Sequence, residues 1–327
     1  MTQNLRPPAI DLQAHRGGLG LTVENTLAAF VTALDLGVST LECDLHVSAD
    51  GVPMVVHDRR LGPEKYLDTA PASPEDPMFP YVGALVTDLR FEQLRTLDCG
   101  SRTLPAHPGQ RAVPGAVMPT LTELFALAAE RGAEDVRFNV ETKFDAVSPR
   151  ETAPRERFAE VVVSTVREAG LVARTSVQSF DWAVLRLVRE LEPGLRLVVL
   201  TAPRYLEVGR TGASPWLGGV DIDDHAGDVV RAVAAEGFDA LSPAHGSPVA
   251  SGVGDPAYRP FTTPALVAAA HDAGLGVVPY TVDDPATVES LLDAGVDGLI
   301  TNYPDRVRTV LERRGLPLPA PYPAGGT

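Results

Sequence analysis

Glu42 and Asp44 stand two positions apart in the run STLECDL. Side chains alternate along a strand, so both carboxylates share one face. Two like charges on an enclosed face repel, which raises one of the two pKa values unless a cation intervenes. Glu141, in VRFNVET, adds a third carboxylate. An all-oxygen donor set suits a hard divalent cation, Mg2+ or Ca2+, with Mn2+ also compatible. Without a cation the same three residues form a salt-bridged cluster. His15-Arg16-Gly17-Gly18 follows another apolar run. The planar Arg16 fork fits phosphate, and the glycines let the backbone approach a ligand. Lys143 shares a strand face with Glu141 and adds a second positive charge. A single histidine is more often a hydrogen-bonded core residue than a catalyst. Two at one rim, His15 and His57, suit a general base and a general acid, because unperturbed imidazole titrates near pH 6.5.

These residues lie at the ends of short apolar runs: 9–15, 39–45, 136–142, 175–180, 196–201, 238–243, 276–282 and 297–302. Helical patterns fill the intervals at 24–37, 120–132, 158–170, 181–194, 226–237, 263–274 and 285–295, while 202–225 is irregular. The first helix opens at Glu24 or Asn25 and stops at Gly37. Thr120, three residues before Glu123, is a capping-box signature. Strands alternating with helices call for parallel pairing through right-handed crossovers. Eight such units predict an α/β fold, a (β/α)8 TIM barrel. A doubly wound sheet is the rival. It gives no reason for polar residues at the end of strand after strand, as His15, Asp44, Glu141, Gln178 and Tyr280 are here.

HVSADGVPMVVHD (46–58) holds a further apolar run with no helix before it. A parallel neighbour needs a crossover of about a dozen residues, so this run is an antiparallel hairpin arm. Asp50-Gly51 reads as a two-residue turn, which sets His57 opposite Asp44. Residues 59–118 then break the rhythm with eight prolines and one short predicted helix in TDLRFEQLRTLDCG. A long insertion leaving the barrel mouth reads as a lid or binding element. The chain 1–327 is otherwise one barrel domain, with a tail, GLPLPAPYPAGGT, expected to fray.

Composition narrows the function. The 327 residues are 44% hydrophobic and 22% charged, which is ordinary for a globular protein. Net charge is −15, which repels nucleic-acid backbones. No apolar stretch is long enough to span a membrane, and the N-terminus lacks a secretory h-region. Two cysteines, Cys43 and Cys99, make no disulfide framework. A cytoplasmic location is expected, with no nucleic acid and no integral membrane contact; oligomeric state is not readable.

The motifs AHRGG…ENTLAAF, LECDLHVSADGVPMVVHD, NVETK, VQSFD and GVDGLITNYP, in order from about residue 10 to 310, resemble the glycerophosphodiester phosphodiesterase family, within the wider phosphatidylinositol-phospholipase-C-like barrels. The resemblance implies a divalent cation on Glu42, Asp44 and Glu141, His15 and His57 as the acid–base pair, and Arg16 and Lys143 on the phosphate. It implies a small glycerophosphodiester substrate, hydrolysed to an alcohol and glycerol phosphate. Gln178 is then placed to hydrogen-bond the glycerol, and Phe180 and Tyr280 to wall it. Tyr280 stands where the family commonly has Trp, Val23 where it has Pro, and Thr301-Asn302 where it has Thr-Asp. Two other readings keep the barrel: a non-catalytic binder of phosphorylated headgroups, and a metal-dependent sugar-phosphate enzyme. The first needs no paired histidines. The second wants a Schiff-base lysine or a histidine among the metal ligands.

Overall fold

The computed structural model describes residues 9–324. The first eight residues, part of the stretch read for a leader, and the last three of the tail lie outside them. Eight parallel strands form one sheet: β1 (Asp11–Ala14), β2 (Thr40–Val47), β4 (Arg137–Thr142), β5 (Thr175–Ser179), β6 (Arg196–Thr201), β7 (Ala240–Pro243), β8 (Gly276–Val277) and β9 (Gly298–Thr301). β3 (Pro53–Val55) is the hairpin arm antiparallel to β2. Bonds from Asp297 N to Val277 O (2.9 Å) and Ile300 N to Pro279 O (3.0 Å) join β8 to β9 and close the ring. The predicted (β/α)8 barrel is the observed fold.

The strand period of two sorts the side chains. Leu41, Cys43 and Leu45 of β2 join Phe138 and Val140 of β4 in the apolar layer under the helices. Glu42, Asp44, Asn139 and Glu141 occupy the alternate positions and are also buried, now inside the barrel. Register places Asp44 beside Glu141 and Glu42 beside Asn139. The two carboxylate-bearing strand ends therefore meet although about a hundred residues separate them.

Helix starts follow local chemistry. α1 (Leu27–Leu36) is capped by Thr26, whose hydroxyl accepts from Ala29 N; the expected start at Glu24 or Asn25 comes two residues early. Asn25 instead turns through φ 53°. The Thr120–Glu123 capping box is present at the helix Leu121–Glu130. Within the insertion, the one short helix expected is a 3-10 turn, Val86–Asp88, followed by a single α turn, Phe91–Leu94. The insertion has an apolar core of its own, with Leu61, Tyr66, Tyr81, Leu89, Leu97 and Met118 buried around Met54 and Val56 of the hairpin. The tail does not fray over its described length: Tyr322 N donates to Leu34 O (2.8 Å), and Arg308 holds Pro319 O (2.9 Å).

The hairpin register differs from expectation by one residue. Leu45 pairs with Val55 and His46 with Met54, so Val56, not His57, stands opposite Asp44. The cause is the turn. Ser48 and Val52 close a three-residue loop whose last member, Gly51, has φ 86°. This is the longer hairpin loop with a left-handed glycine, not the two-residue type.

Candidate active site

Glu42, Asp44 and Glu141 offer oxygens within 4.8 Å of one another. Glu42 and Asp44 are fully buried and Glu141 nearly so. Burial, then the Asp44 and Glu141 charges, push the Glu42 carboxyl well above the usual range. Burial pushes Glu141 up as well, against the pull of Lys143. Burial acts on Asp44 in the same sense, but Arg16 and Lys143 outweigh it and hold this carboxyl well below its usual value. Asp44 Oδ1 is buried with no hydrogen-bond donor, Lys143 Nζ lying 3.5 Å away. A buried lone oxygen beside two further carboxylates fits a hard divalent cation.

The turn after β1 brings Arg16 to these acids. Arg16, Gly17 and Gly18 all have positive φ, 53°, 78° and 88°. A side chain on Gly17 would strike the backbone of Ala29 and Phe30. The strained turn lets Arg16 N donate to Glu42 Oε2 (2.9 Å) while the guanidinium reaches Asp44 (3.1 Å) and Glu24 (3.2 Å). Lys143 Nζ lies 2.7 Å from Glu141 Oε1. Burial pulls the Lys143 pKa down, but Glu141 and Asp44 more than offset it, so the ammonium is retained.

His15 and His57 line one cavity of about 750 Å³ together with Glu42, Glu141 and Lys143. His15 Nδ1 is 2.6 Å from Asn302 Oδ1. Asn302 Nδ2 donates to Asp283 (2.7 Å), which turns the amide oxygen toward His15 and makes Nδ1 the protonated nitrogen. His57 Nδ1 donates to Asp58 Oδ1 (2.7 Å). Among the described residues neither Nε2 has a hydrogen-bond partner. Burial, then the Arg16 charge, lowers His15 to about 3. Burial, Arg16 and Lys143 lower His57 to about 4, with Asp44 and Asp58 pulling the other way. His46 supports the backbone of His57, its Nε2 donating to the His57 carbonyl (3.2 Å).

Gln178 lines the same cavity. Its Nε2 donates to Glu42 Oε1 and its Oε1 accepts from Asn139, both at 2.8 Å, so the amide is committed to orienting an acid. Phe180 and Tyr280 do form a wall, with ring centres 5.8 Å apart. Tyr205 (4.6 Å from Phe180) and Trp216 (5.0 Å from Tyr205) extend it. The Tyr280 hydroxyl is bonded to Thr201 O (3.1 Å), so the Trp-to-Tyr change adds no free hydroxyl. Sequence reasoning missed Asn25, whose Nδ2 holds Asp44 Oδ2 (2.8 Å), and Glu24 and Asp58. All three lie inside the ENTLAAF and VVHD motifs and could have been found there. Tyr205 and Trp216 carried no signal, because they come from the irregular 202–225 stretch.

Three acids that could hold a metal ion, two imidazoles and two basic side chains thus meet at the mouth of a (β/α)8 barrel. A sequence profile of the Glycerophosphoryl diester phosphodiesterase family matches residues 15–306, and the chain belongs to this family of phosphoric diester hydrolases. It is 25% identical over 302 residues to the glycerophosphodiester phosphodiesterase of Caldanaerobacter subterraneus, covering 92% of this chain and 98% of the relative. A crystal structure from Silicibacter pomeroyi bearing the same family name superposes with a TM-score of 0.76 at 29% identity, covering 95% and 96% of the two chains. The Oleispira antarctica phosphodiesterase OLEI02445, solved with sn-glycerol-3-phosphate, shares the fold at TM-score 0.65 and 19% identity, over 93% of this chain and 97% of that one. No helix among the described residues is long and apolar enough to cross a membrane.

Proposed function

We propose that the chain hydrolyses small glycerophosphodiesters to an alcohol and glycerol phosphate, with His15 and His57 moving the protons. One observation carries this reading: both imidazoles are pinned at Nδ1 and leave Nε2 for the cavity that Glu42 and Glu141 also line. The partners assign the roles. Burial and the Arg16 charge keep His15 uncharged, the form a base needs, and Asn302, a neutral amide, holds its Nδ1 without adding a charge. Asp58 is a carboxylate and pulls His57 toward the protonated form an acid needs, against burial and the Arg16 and Lys143 charges, which a bound phosphodiester anion would offset. His15 Nε2 takes the proton of the attacking hydroxyl as its oxygen bonds to phosphorus. The P–O bond to the departing alcohol breaks, and His57 returns a proton to that oxygen. The attacking oxygen is that of water or of the substrate's own 2-hydroxyl, the latter giving a cyclic phosphate that is then opened.

A divalent cation on Glu42, Asp44 and Glu141, Mg2+ or Ca2+ by the donor set and with Mn2+ compatible, would stabilise charge on the non-bridging phosphate oxygens. Arg16 and Lys143 add two fixed positive charges for the same anion. Gln178 orients Glu42, and Phe180 and Tyr280 wall the organic part of the substrate. Residues 59–118 bring Arg59, Arg60 and Glu64 to the cavity lining, which supports a binding role for the insertion within a single-domain barrel. Lys143, kept protonated by two acids, is unsuited to a Schiff base, which weighs against a sugar-phosphate lyase.

Hydrolysis of glycerophosphocholine and bis(p-nitrophenyl) phosphate tests the reading. EDTA abolishes turnover and Mg2+, Ca2+ or Mn2+ restores it. His57→Ala lowers turnover of glycerophosphocholine by about 10²–10⁴-fold while metal binding persists. Undiminished turnover removes His57 from the mechanism.

A further inference from the structure

Lys65 lies in the insertion, outside every motif that points to the active site. Its backbone is set by a tight turn, with both Lys65 N and Tyr66 N donating to Gly62 O (3.1 Å each). Leu61 and Tyr66 on either side are buried in the insertion's own core. The side chain is only 17% exposed, and its ammonium lies between two carboxylates, 2.7 Å from Asp58 Oδ2 and 2.8 Å from Glu24 Oε1. Asp58 is thus gripped at both oxygens, by Lys65 at Oδ2 and by His57 Nδ1 at Oδ1. Two separate partners on one carboxylate fix the plane of that carboxylate, and with it the ring it holds. Glu24 is held in turn by Arg16, so the row runs Arg16, Glu24, Lys65, Asp58, His57 with charges alternating up to the imidazole.

An exposed ion pair contributes little. This one is screened from solvent, shared by two acids and anchored by a packed turn. Removing the ammonium leaves Glu24 and Asp58 as neighbouring like charges with nothing between them, and frees Asp58 to rotate. We propose that Lys65 is a positioning residue that holds His57 through Asp58, so that the insertion completes the proton donor of the barrel. The inference rests on the phosphodiesterase reading and on His57 as the acid.

The test exploits the leaving group. An alkyl alcohol such as choline or glycerol leaves only with a proton, whereas p-nitrophenolate leaves without one. Lys65→Met should lower kcat on glycerophosphocholine by about 10- to 100-fold, with KM little changed, and leave bis(p-nitrophenyl) phosphate within about threefold of wild type. Lys65→Arg should restore most of the lost turnover, and His57→Ala should show the same selectivity more strongly. If the methionine variant does not fold, Lys65→Gln on the same two substrates decides. Equal losses on both diesters, or no loss on either, overturn the proposal while the phosphodiesterase reading stands. A wild-type protein inactive on both overturns the reading and the proposal with it.

Discussion

His15 and His57 are held at the same ring atom by different groups, and the difference separates their chemistry. Asn302 accepts from His15 without adding charge, because Asp283 holds the far side of its amide. Truncating Asn302 to Ala frees both the tautomer and the ring plane of His15. Asn302→Ala is therefore expected to lower kcat on glycerophosphocholine by about 10- to 100-fold without weakening metal binding; calorimetry with the metal and steady-state kinetics read the two effects apart. An unchanged kcat would mean that the proposed base needs no such hold. The acids were legible in the sequence because strand alternation puts Glu42 and Asp44 on one face and NVETK repeats the device. Asn302 was visible only as a departure from a motif, because its partner His15 lies 287 positions away. Lys65 was invisible for the same reason, since it meets Asp58 and Glu24 only after the insertion has folded on its own core.

The β2–β3 hairpin shows how an element's turn controls what its strands can present. The eight barrel strands were legible because each is a short apolar run bounded by a helix and a stop. The hairpin's existence was equally clear from Asp50-Gly51, but its register was not, because the same dipeptide serves a two-residue and a three-residue loop. Gly51, at φ 86°, takes the left-handed position of the longer loop. A Cβ there would meet the tip of Arg157, a half-exposed side chain able to move aside, so backbone strain dominates the cost. Gly51→Ala is expected to destabilise the fold by about 1–2 kcal/mol, read as a lowered denaturant midpoint. Turnover should fall too, since the arm beyond this turn carries His57. An unchanged midpoint would show that the loop does not need its left-handed residue. Beyond its one short helix, at Phe91–Leu94, the insertion's structure was not legible for a related reason. Its apolar residues follow no helical period, because they converge on Tyr66, Tyr81 and Met118 from turns and two-residue strands.

At the scale of the whole molecule, two sets of buried groups pull stability in opposite directions with pH. His15 and His46 are lowered to about 3 and His57 to about 4, burial being the first cause in each. The unfolded chain takes up protons below about pH 6.5 that the folded chain refuses, so their contribution is intact above that pH and is lost as pH falls toward the folded values. Glu42 and Glu141 are raised, so their contribution is present in acid and is lost as pH rises through their folded values. The metal-free barrel is therefore weakened on both sides, and a cation bound to the three acids relieves only the alkaline side. Adding Mg2+ or Ca2+ at about 100 times its Kd is expected to stabilise the fold by about 2.7 kcal/mol, a rise in melting temperature of roughly 5 °C. The rise should shrink between pH 8 and pH 5, as protons compete for Glu42 and Glu141, and EDTA should reverse it. Asp44→Asn, which removes the charge between the two, should abolish it. Melting curves insensitive to Mg2+, Ca2+ and Mn2+ at pH 8 would leave the three carboxylates as the anionic half of a salt-bridged cluster with Arg16 and Lys143, and would remove the cation from the proposed reaction.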